Sequence, residues 1–427
     1  MEDIINRVKD CIQKTTNIYN RETFNTFIDN YNNVLTFQGD KKENLQKMFN
    51  ILLQYDDKEK INFEDKLGNN ITIKMYDKIS EGTYSIINKG VMQKYENDEE
   101  IDEEIVLRIP KVMPIIEIVD GKEIEKSEAE ALEEFKNKTV LSALEESLLG
   151  VLLYCYVQTF SDIFILGNPF IKIKAIFVLN IIDEKPYNVP LLITGMDKMR
   201  YLYGNILVTR ANVELFGILA WISFNLKKLQ QIMLFTHRDF HTGNVMCNYN
   251  YVDPKTINVG YPINGQNFRP YIIDLGETCV NLGCDNGCKN IQFPQYYDVK
   301  DTCNNNSQDL RTLLASIYIN YFRPDYNPNC RQYLSDNNKL FRQYLESKFK
   351  NYINAGFTHQ HTYYDEVLNL VDPAFLPDTI LREISLFFDE NGEYKHGVNI
   401  RAIIDNILPG NPGDLTSNRF DKYGEPK

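Results

Sequence analysis

The segment Phe235 to Met246, FTHRDFHTGNVM, sets two histidines, an arginine, an aspartate and an asparagine among apolar residues. Asp239 can orient a hydroxyl group and accept its proton. Asn244 offers a neutral oxygen, the kind of ligand a hard divalent cation takes. An acid and an amide at this spacing suit phosphoryl transfer, which needs both tasks performed side by side. Gly243 is read as the residue that lets the backbone turn between them. The alternative is a polar loop whose Asp and Asn cap turns.

Such a loop needs rigid elements on either side. Upstream, Ala211 to Met233 (ANVELFGILAWISFNLKKLQQIM) is apolar around much of its surface and predicts a buried helix. Downstream, Tyr271 to Ile273 of RPYIIDLGET read as a buried strand ending at Asp274-Leu275-Gly276. The turn-rich run between, NYNYVDPKTINVGYPINGQNF, reads as an insertion between two strands. NSQDLRTLLASIY predicts a further helix, with Asp309 at its start.

Earlier in the chain, from Ile71 to about Val119, the pattern is β-like: ITIKMYDKI alternates, YSIINKGVM is β-branched, and EEIVLRIPKVM is a strand bounded by acids. EKSEAEALEEFKNKTVLSALEESLLGVLLYCYVQ predicts one or two helices, and IKIKAIFVLNII and PLLITGM return to strands. KKENLQKMFNILLQY puts Leu45, Met48, Phe49 and Leu52 on one helical face. The expected fold class is α+β. A helical extension (1–68) precedes a small β-rich lobe (69–196), and a larger helical lobe with a helical C-terminal extension follows (197–427).

These pieces together resemble the protein-kinase-like fold. His237-Arg238-Asp239 with Asn244 is similar to the H-R-D-x-x-x-x-N catalytic loop, and Asp274-Leu275-Gly276 resembles the D-F-G element. KISEGTYSIINKG resembles the glycine-rich loop: Gly82 keeps the middle glycine, while Ser80 and Ser85 stand where the first and third would be. EEIVLRIPK resembles the strand that offers a lysine to the nucleotide phosphates, but Arg108 stands in the lysine position. Val106 shares its strand face, as a residue covering adenine should. Lys111 has the opposite parity unless Pro110 introduces a bulge. Glu145 and Glu146 are candidates to orient the cation, with Glu146 preferred.

The resemblance runs from about Ile71 to Phe322 and implies a two-lobed protein-kinase-like fold with the β-rich lobe first. It implies ATP with Mg²⁺ (or Mn²⁺) and transfer of the γ-phosphoryl group to Ser/Thr hydroxyls of a protein substrate. Asp239 and His241 would be catalytic. Ser80, Gly82, Ser85, Val106, Arg108 and Glu146 would bind nucleotide, and Asn244 and Asp274 would hold metal. Asp309 would support the catalytic loop through backbone hydrogen bonds.

His241 stands where Ser/Thr kinases carry a lysine. HRDFHTGN is similar to the loop of haspin-type atypical kinases, and also to the H-x-D-x-H-x-x-N of aminoglycoside and choline phosphotransferases. The insertion before Asp274 and the absence of an A-P-E element also resemble haspin. A small-molecule kinase therefore stands as one alternative, favoured by His241. A pseudokinase scaffold stands as another, favoured by Arg108, Ser80 and Ser85. His241 could contact a phosphate or serve as a loop-packing hydrogen-bond partner.

Composition adds bounds. The chain has 427 residues, 43% hydrophobic, ample for a sizeable core in two lobes. A net charge of −13 argues against a broad nucleic-acid-binding face. The longest apolar stretch, Leu148 to Val157, has about half the length needed to span a bilayer. No secretory signal is read at the start, so free thiols in a reducing cytoplasm or nucleus are expected for the eight cysteines. The bias to Asn, Ile, Lys and Tyr suggests an AT-rich genome, such as a large DNA virus or a unicellular parasite; a viral source would allow a place in the virion. Cys279, Cys284, Cys288 and Cys303 lack a C-x-x-C pair, so free thiols are expected over zinc.

Overall fold

The computed structural model describes residues 7, 10–11, 17–18, 60–64, 70–81, 85–96, 99–110, 116–119, 122–125, 127, 141–176, 191–194, 199–201, 212–248, 256–258, 262–264, 269–280, 291–292, 305–323, 334, 336–354 and 372–388. The helix expected in KKENLQKMFNILLQY lies outside these residues, as do Gly82 and Lys111. The chain divides into two compact units. One comprises Met1–Ser161 and Phe170–Lys198, the other Asp162–Pro169 and Met199–Lys427.

The first unit is built on a seven-stranded sheet. Its strands are β1 (Asn17–Ile18), β2 (Lys60–Glu64), β3 (Asn70–Glu81), β4 (Ser85–Glu96), β5 (Glu99–Pro110), β8 (Ile173–Ile176) and β9 (Leu191–Thr194). Their spatial order is β1-β8-β9-β5-β4-β3-β2. A separate hairpin pairs β6 (Ile116–Val119) with β7 (Lys122–Glu125). Within β5, Ile105, Val106 and Leu107 are all buried in succession. A strand buried on both faces must lie inside the sheet, and β5 sits between β4 and β9. Helix α1 (Leu141–Gln158) shows the same logic: Leu149, Val151, Leu152, Leu153, Cys155 and Val157 are buried, so its apolar surface is covered on more than one side.

The second unit is organised around helix α2 (Asn212–Met233), in which every residue from Leu215 to Leu226 is buried. The continuously apolar pattern predicts this. Helices α3 (Gln308–Phe322), α4 (Lys339–Asn354) and α5 (Pro377–Ser385) complete its core. Phe216 of α2 stacks on Phe387 at 4.3 Å between centroids and meets Phe341 edge-on at 5.3 Å. Each such ring pair adds about 0.5–1.5 kcal/mol beyond the area it buries. No helix among the described residues is long and apolar enough to cross a membrane.

A three-stranded sheet lies in this unit, formed by β10 (Met199–Tyr201), β11 (Val245–Asn248) and β14 (Arg269–Ile272) in that order. The run between β11 and β14 carries a hairpin, β12 (Thr256–Asn258) with β13 (Pro262–Asn264). Beyond β14, β15 (Cys279–Val280) pairs with β16 (Ile291–Gln292).

Candidate functional site

The motif loop begins where α2 ends. Leu234 takes φ 48°, and its N–H still bonds the Gln230 carbonyl at 3.1 Å. A left-handed residue after the last turn is a common helix stop. Thr236 then exchanges two backbone hydrogen bonds with Cys279, at 3.0 and 2.8 Å. After a single 3₁₀ turn (Thr242–Asn244) the chain enters β11, which pairs antiparallel with β14, Val245 opposite Ile272. The N–H of Ile273 bonds the Asn244 carbonyl at 3.1 Å. The ladder thus fixes Asn244 beside the residue that precedes Asp274.

Helix α3 holds the loop from beneath. The fully buried Asp309 accepts the His237 N–H at 2.9 Å and the Arg238 N–H at 3.0 Å. Ser316, on the same face about two turns on, accepts the Thr242 N–H at 3.1 Å. Gln308 Nε2 donates to the Arg238 carbonyl at 3.3 Å. His237 is fully buried, and its Nε2 meets the Ile273 carbonyl at 2.8 Å. A carbonyl only accepts, so Nε2 carries the proton. Arg238 donates from Nε to the Glu277 carbonyl. Both side chains brace the loop.

Of the three non-glycine residues at positive φ among the described residues, two are Arg238 (φ 68°) and Asp274 (φ 61°). Such residues cost of order 1–3 kcal/mol each and concentrate where a geometry serves a function. Gly243 does not take a positive φ, contrary to the expectation that it supplies the turn. Its N–H instead donates to His241 Nδ1 at 2.9 Å. The turn is made by side-chain capping, which does not need glycine's backbone freedom.

Asn244 Nδ2 donates to the Asp239 carbonyl at 2.7 Å and lies 3.3 Å from Asp239 Oδ2. Both partners are acceptors, which fixes the amide orientation. Asn244 Oδ1 is left without a donor among the described residues. His241 Nε2 lies 3.6 Å from Asp239 Oδ2. Burial lowers the His241 pKa, but the hydrogen bond and charge of Asp239, with the charge of Asp274, outweigh it and raise the net value. The imidazole therefore senses both carboxylates. Asp274 is exposed and Asp239 half-exposed, so both can be reached from solvent.

A hard cation fits this donor set. Asn244 Oδ1 and the Asp274 carboxylate are oxygen ligands, and Mg²⁺ commonly takes one or two carboxylates with the rest from phosphate and water. No group of three His, Cys, Asp or Glu side chains suited to a metal occurs among the described residues. A site of one carboxylate and one amide would not form such a group.

The first unit carries the other expected residues. Arg108 Nη1 donates to Glu146 Oε1 of α1, in a half-buried ion pair. Val106, two residues earlier on β5, is 1% exposed. Ser80 and Ser85 lie in β3 and β4, with Ser80 opposite Ile87 and Ser85 opposite Pro110.

Cys279 is disulfide-bonded, so the free thiol expected there is corrected and its sulfur is not a zinc ligand. Spacing alone does not show which thiols a fold brings together. Cys155 and Cys247 are not disulfide-bonded, and burial pushes the Cys247 thiol up to about 12, so it is no nucleophile. Ser316, Gln308 and Glu277 also support the loop, and no local pattern in the sequence marks them.

Asp309 yields a sharp expectation. Asp309→Ala leaves two buried N–H groups unpaired and should cost about 2–6 kcal/mol, at 1–3 for each. Asp309→Asn keeps an oxygen for both and should lie within about 1 kcal/mol of wild type. Burial raises the Asp309 pKa above 3.8, although the two N–H groups and the charges of His237 and Arg238 pull it down. The folded state therefore holds this proton more readily. That contribution to stability is complete below 3.8 and is lost as pH rises through the raised value. Urea unfolding from pH 3.8 upward should show a falling component in wild type that Asp309→Asn lacks.

Neither any protein-family model nor any curated protein matches the chain.

Proposed function

We propose that the protein is an ATP-dependent phosphotransferase of protein-kinase-like, two-lobed architecture. In this reading it transfers the γ-phosphoryl group to Ser/Thr hydroxyls of a protein substrate inside the cell, with no direct role for nucleic acid. The observation that carries it is the loop itself: Asn244 Nδ2 is bound to Asp239, its Oδ1 has no donor among the described residues, and the β11–β14 ladder ends at Ile272, two residues before Asp274.

Asp239 accepts the hydroxyl proton as the acceptor oxygen attacks. Asn244 and Asp274 would hold Mg²⁺ (or Mn²⁺), which neutralises charge on the nucleotide phosphates when bound. Arg108 pairs with phosphate oxygens, oriented by Glu146. Arginine's fork suits phosphate as well as carboxylate, so its presence in the lysine position is compatible with activity. Val106 covers the adenine ring, and backbone N–H groups around Ser80, Gly82 and Ser85 cover the phosphates.

The test is transfer of label from γ-labelled ATP with Mg²⁺ or Mn²⁺, offering casein, choline and an aminoglycoside in separate reactions. Label on protein, abolished by a chelator, is expected. Label on choline or the aminoglycoside would move the acceptor to a small molecule. No transfer with any acceptor, and no thermal shift at millimolar nucleotide, would leave a scaffold.

A further inference from the structure

We propose that His241 is a positioning residue whose two ring nitrogens do different work: Nδ1 locks the loop, and Nε2–H holds one oxygen of Asp239 so that the other faces the acceptor hydroxyl. This rests on the reading of Asp239 as the proton acceptor.

The tautomer follows from Gly243. A backbone N–H only donates, so Nδ1, 2.9 Å away, must present its lone pair. The ring proton then lies on Nε2, which points at Asp239 Oδ2 across 3.6 Å. That is longer than a formed hydrogen bond, as contacts in unliganded sites often are before substrate tightens them. Asn244 Nδ2 approaches the same Oδ2 at 3.3 Å. Oδ2 therefore sits between two donors. Oδ1 of Asp239 has no donor among the described residues and is the oxygen left to take a proton.

The ring is itself held at several points. The His241 N–H bonds the Asp239 carbonyl at 3.0 Å, and its carbonyl accepts the Asn244 N–H at 2.9 Å. Backbone 239–244 is thus a closed set of short bonds around one imidazole. A lysine could aim a charge here but could not accept from Gly243, since its ammonium has no lone pair. The histidine therefore makes the loop self-supporting in a way that lysine would not.

Isosteres separate the two nitrogens. In His241→Asn, Oδ1 can still accept the Gly243 N–H, as an Asx-turn does, but nothing reaches Asp239. In His241→Gln, the longer amide can reach Asp239 while the Gly243 bond is lost. Steady-state ATP turnover with casein and Mg²⁺ is measured for the full chain, together with thermal unfolding. His241→Asn should lower kcat about ten- to a hundredfold, the scale for a misplaced reacting group, with KM for ATP within about twofold and Tm unchanged. His241→Gln should regain part of that kcat at a lower Tm. Wild-type kcat in His241→Asn would overturn the proposal. So would a raised KM with kcat held, which would mean that the ring contacts nucleotide instead. Asp239→Asn run in parallel keeps the two ideas apart: if it turns over like wild type, the reading of Asp239 fails. If it is inactive while His241→Asn is normal, only the role of His241 fails.

Discussion

Asp239→Asn should lower kcat for γ-phosphoryl transfer by about 10²–10⁴-fold, the usual contribution of a positioned general base. That range corresponds to about 3–5 kcal/mol of barrier at 1.36 kcal/mol per tenfold. The fold should not change. The Asp239 side chain is 42% exposed, and the stronger of the two bonds from Asn244 goes to its backbone carbonyl at 2.7 Å, which the variant keeps. KM for ATP and the unfolding midpoint should therefore match wild type. Asn244→Ala should behave differently, raising the Mg²⁺ concentration needed for half-maximal rate, because its Oδ1 is assigned to metal. Unchanged kcat in Asp239→Asn would refute the assignment of this carboxylate, whatever the acceptor.

The parts of the structure that local pattern encodes were visible in the sequence. Helix α2 is apolar on nearly every side, and such a run has few alternatives to a buried helix. The strands β3, β4 and β5 follow alternation and β-branching. Asp309 stood at a helix start, and the structure has it accepting the loop's N–H groups. Glu145 and Glu146 could not be separated firmly by pattern, because neighbours on a helix differ only in which way they face; the pairing is between Arg108 and Glu146.

What escaped the sequence reading depends on contacts between distant positions. Ser316 is one serine in an apolar helix, with nothing local to show that Thr242 donates to it. Arg238 finds Glu277 only because the Thr236–Cys279 bridge brings their segments together. The role of Gly243 was misread for a related reason. Glycine suggests backbone freedom, but here the cap is supplied by the imidazole of His241.

The buried charge in the helical core was equally invisible, and it gives a large expected effect on stability. Lys348 of α4 and Glu383 of α5 meet at 2.5 Å with their side chains 2% and 4% exposed. Each alone looks like a surface residue of an amphipathic helix. Lys348 also donates to the Ala374 carbonyl at 2.6 Å and lies 5.7 Å from the ring centres of Tyr344 and Phe375. The Tyr344 hydroxyl donates to Glu383 Oε2 at 2.8 Å. Burial lowers the Lys348 pKa even though Glu383 favours the charged form, so desolvation works against this group. Lys348→Met would leave Glu383 buried with Tyr344 as its one remaining partner among the described residues, and should destabilise the protein by about 3–5 kcal/mol. Removing both charges, as Lys348→Met with Glu383→Leu, should recover most of that loss, because a well-packed apolar pair is often neutral or better. The recovery should be incomplete, since the Tyr344 hydroxyl then lacks its acceptor, at about 1–3 kcal/mol. Adding Tyr344→Phe should remove that remainder. Urea denaturation of the single, double and triple variants checks the series. A single variant as stable as wild type would mean that water reaches Glu383. A double variant no better than the single would mean that the ion pair is net stabilising, its attraction exceeding the desolvation of both charges.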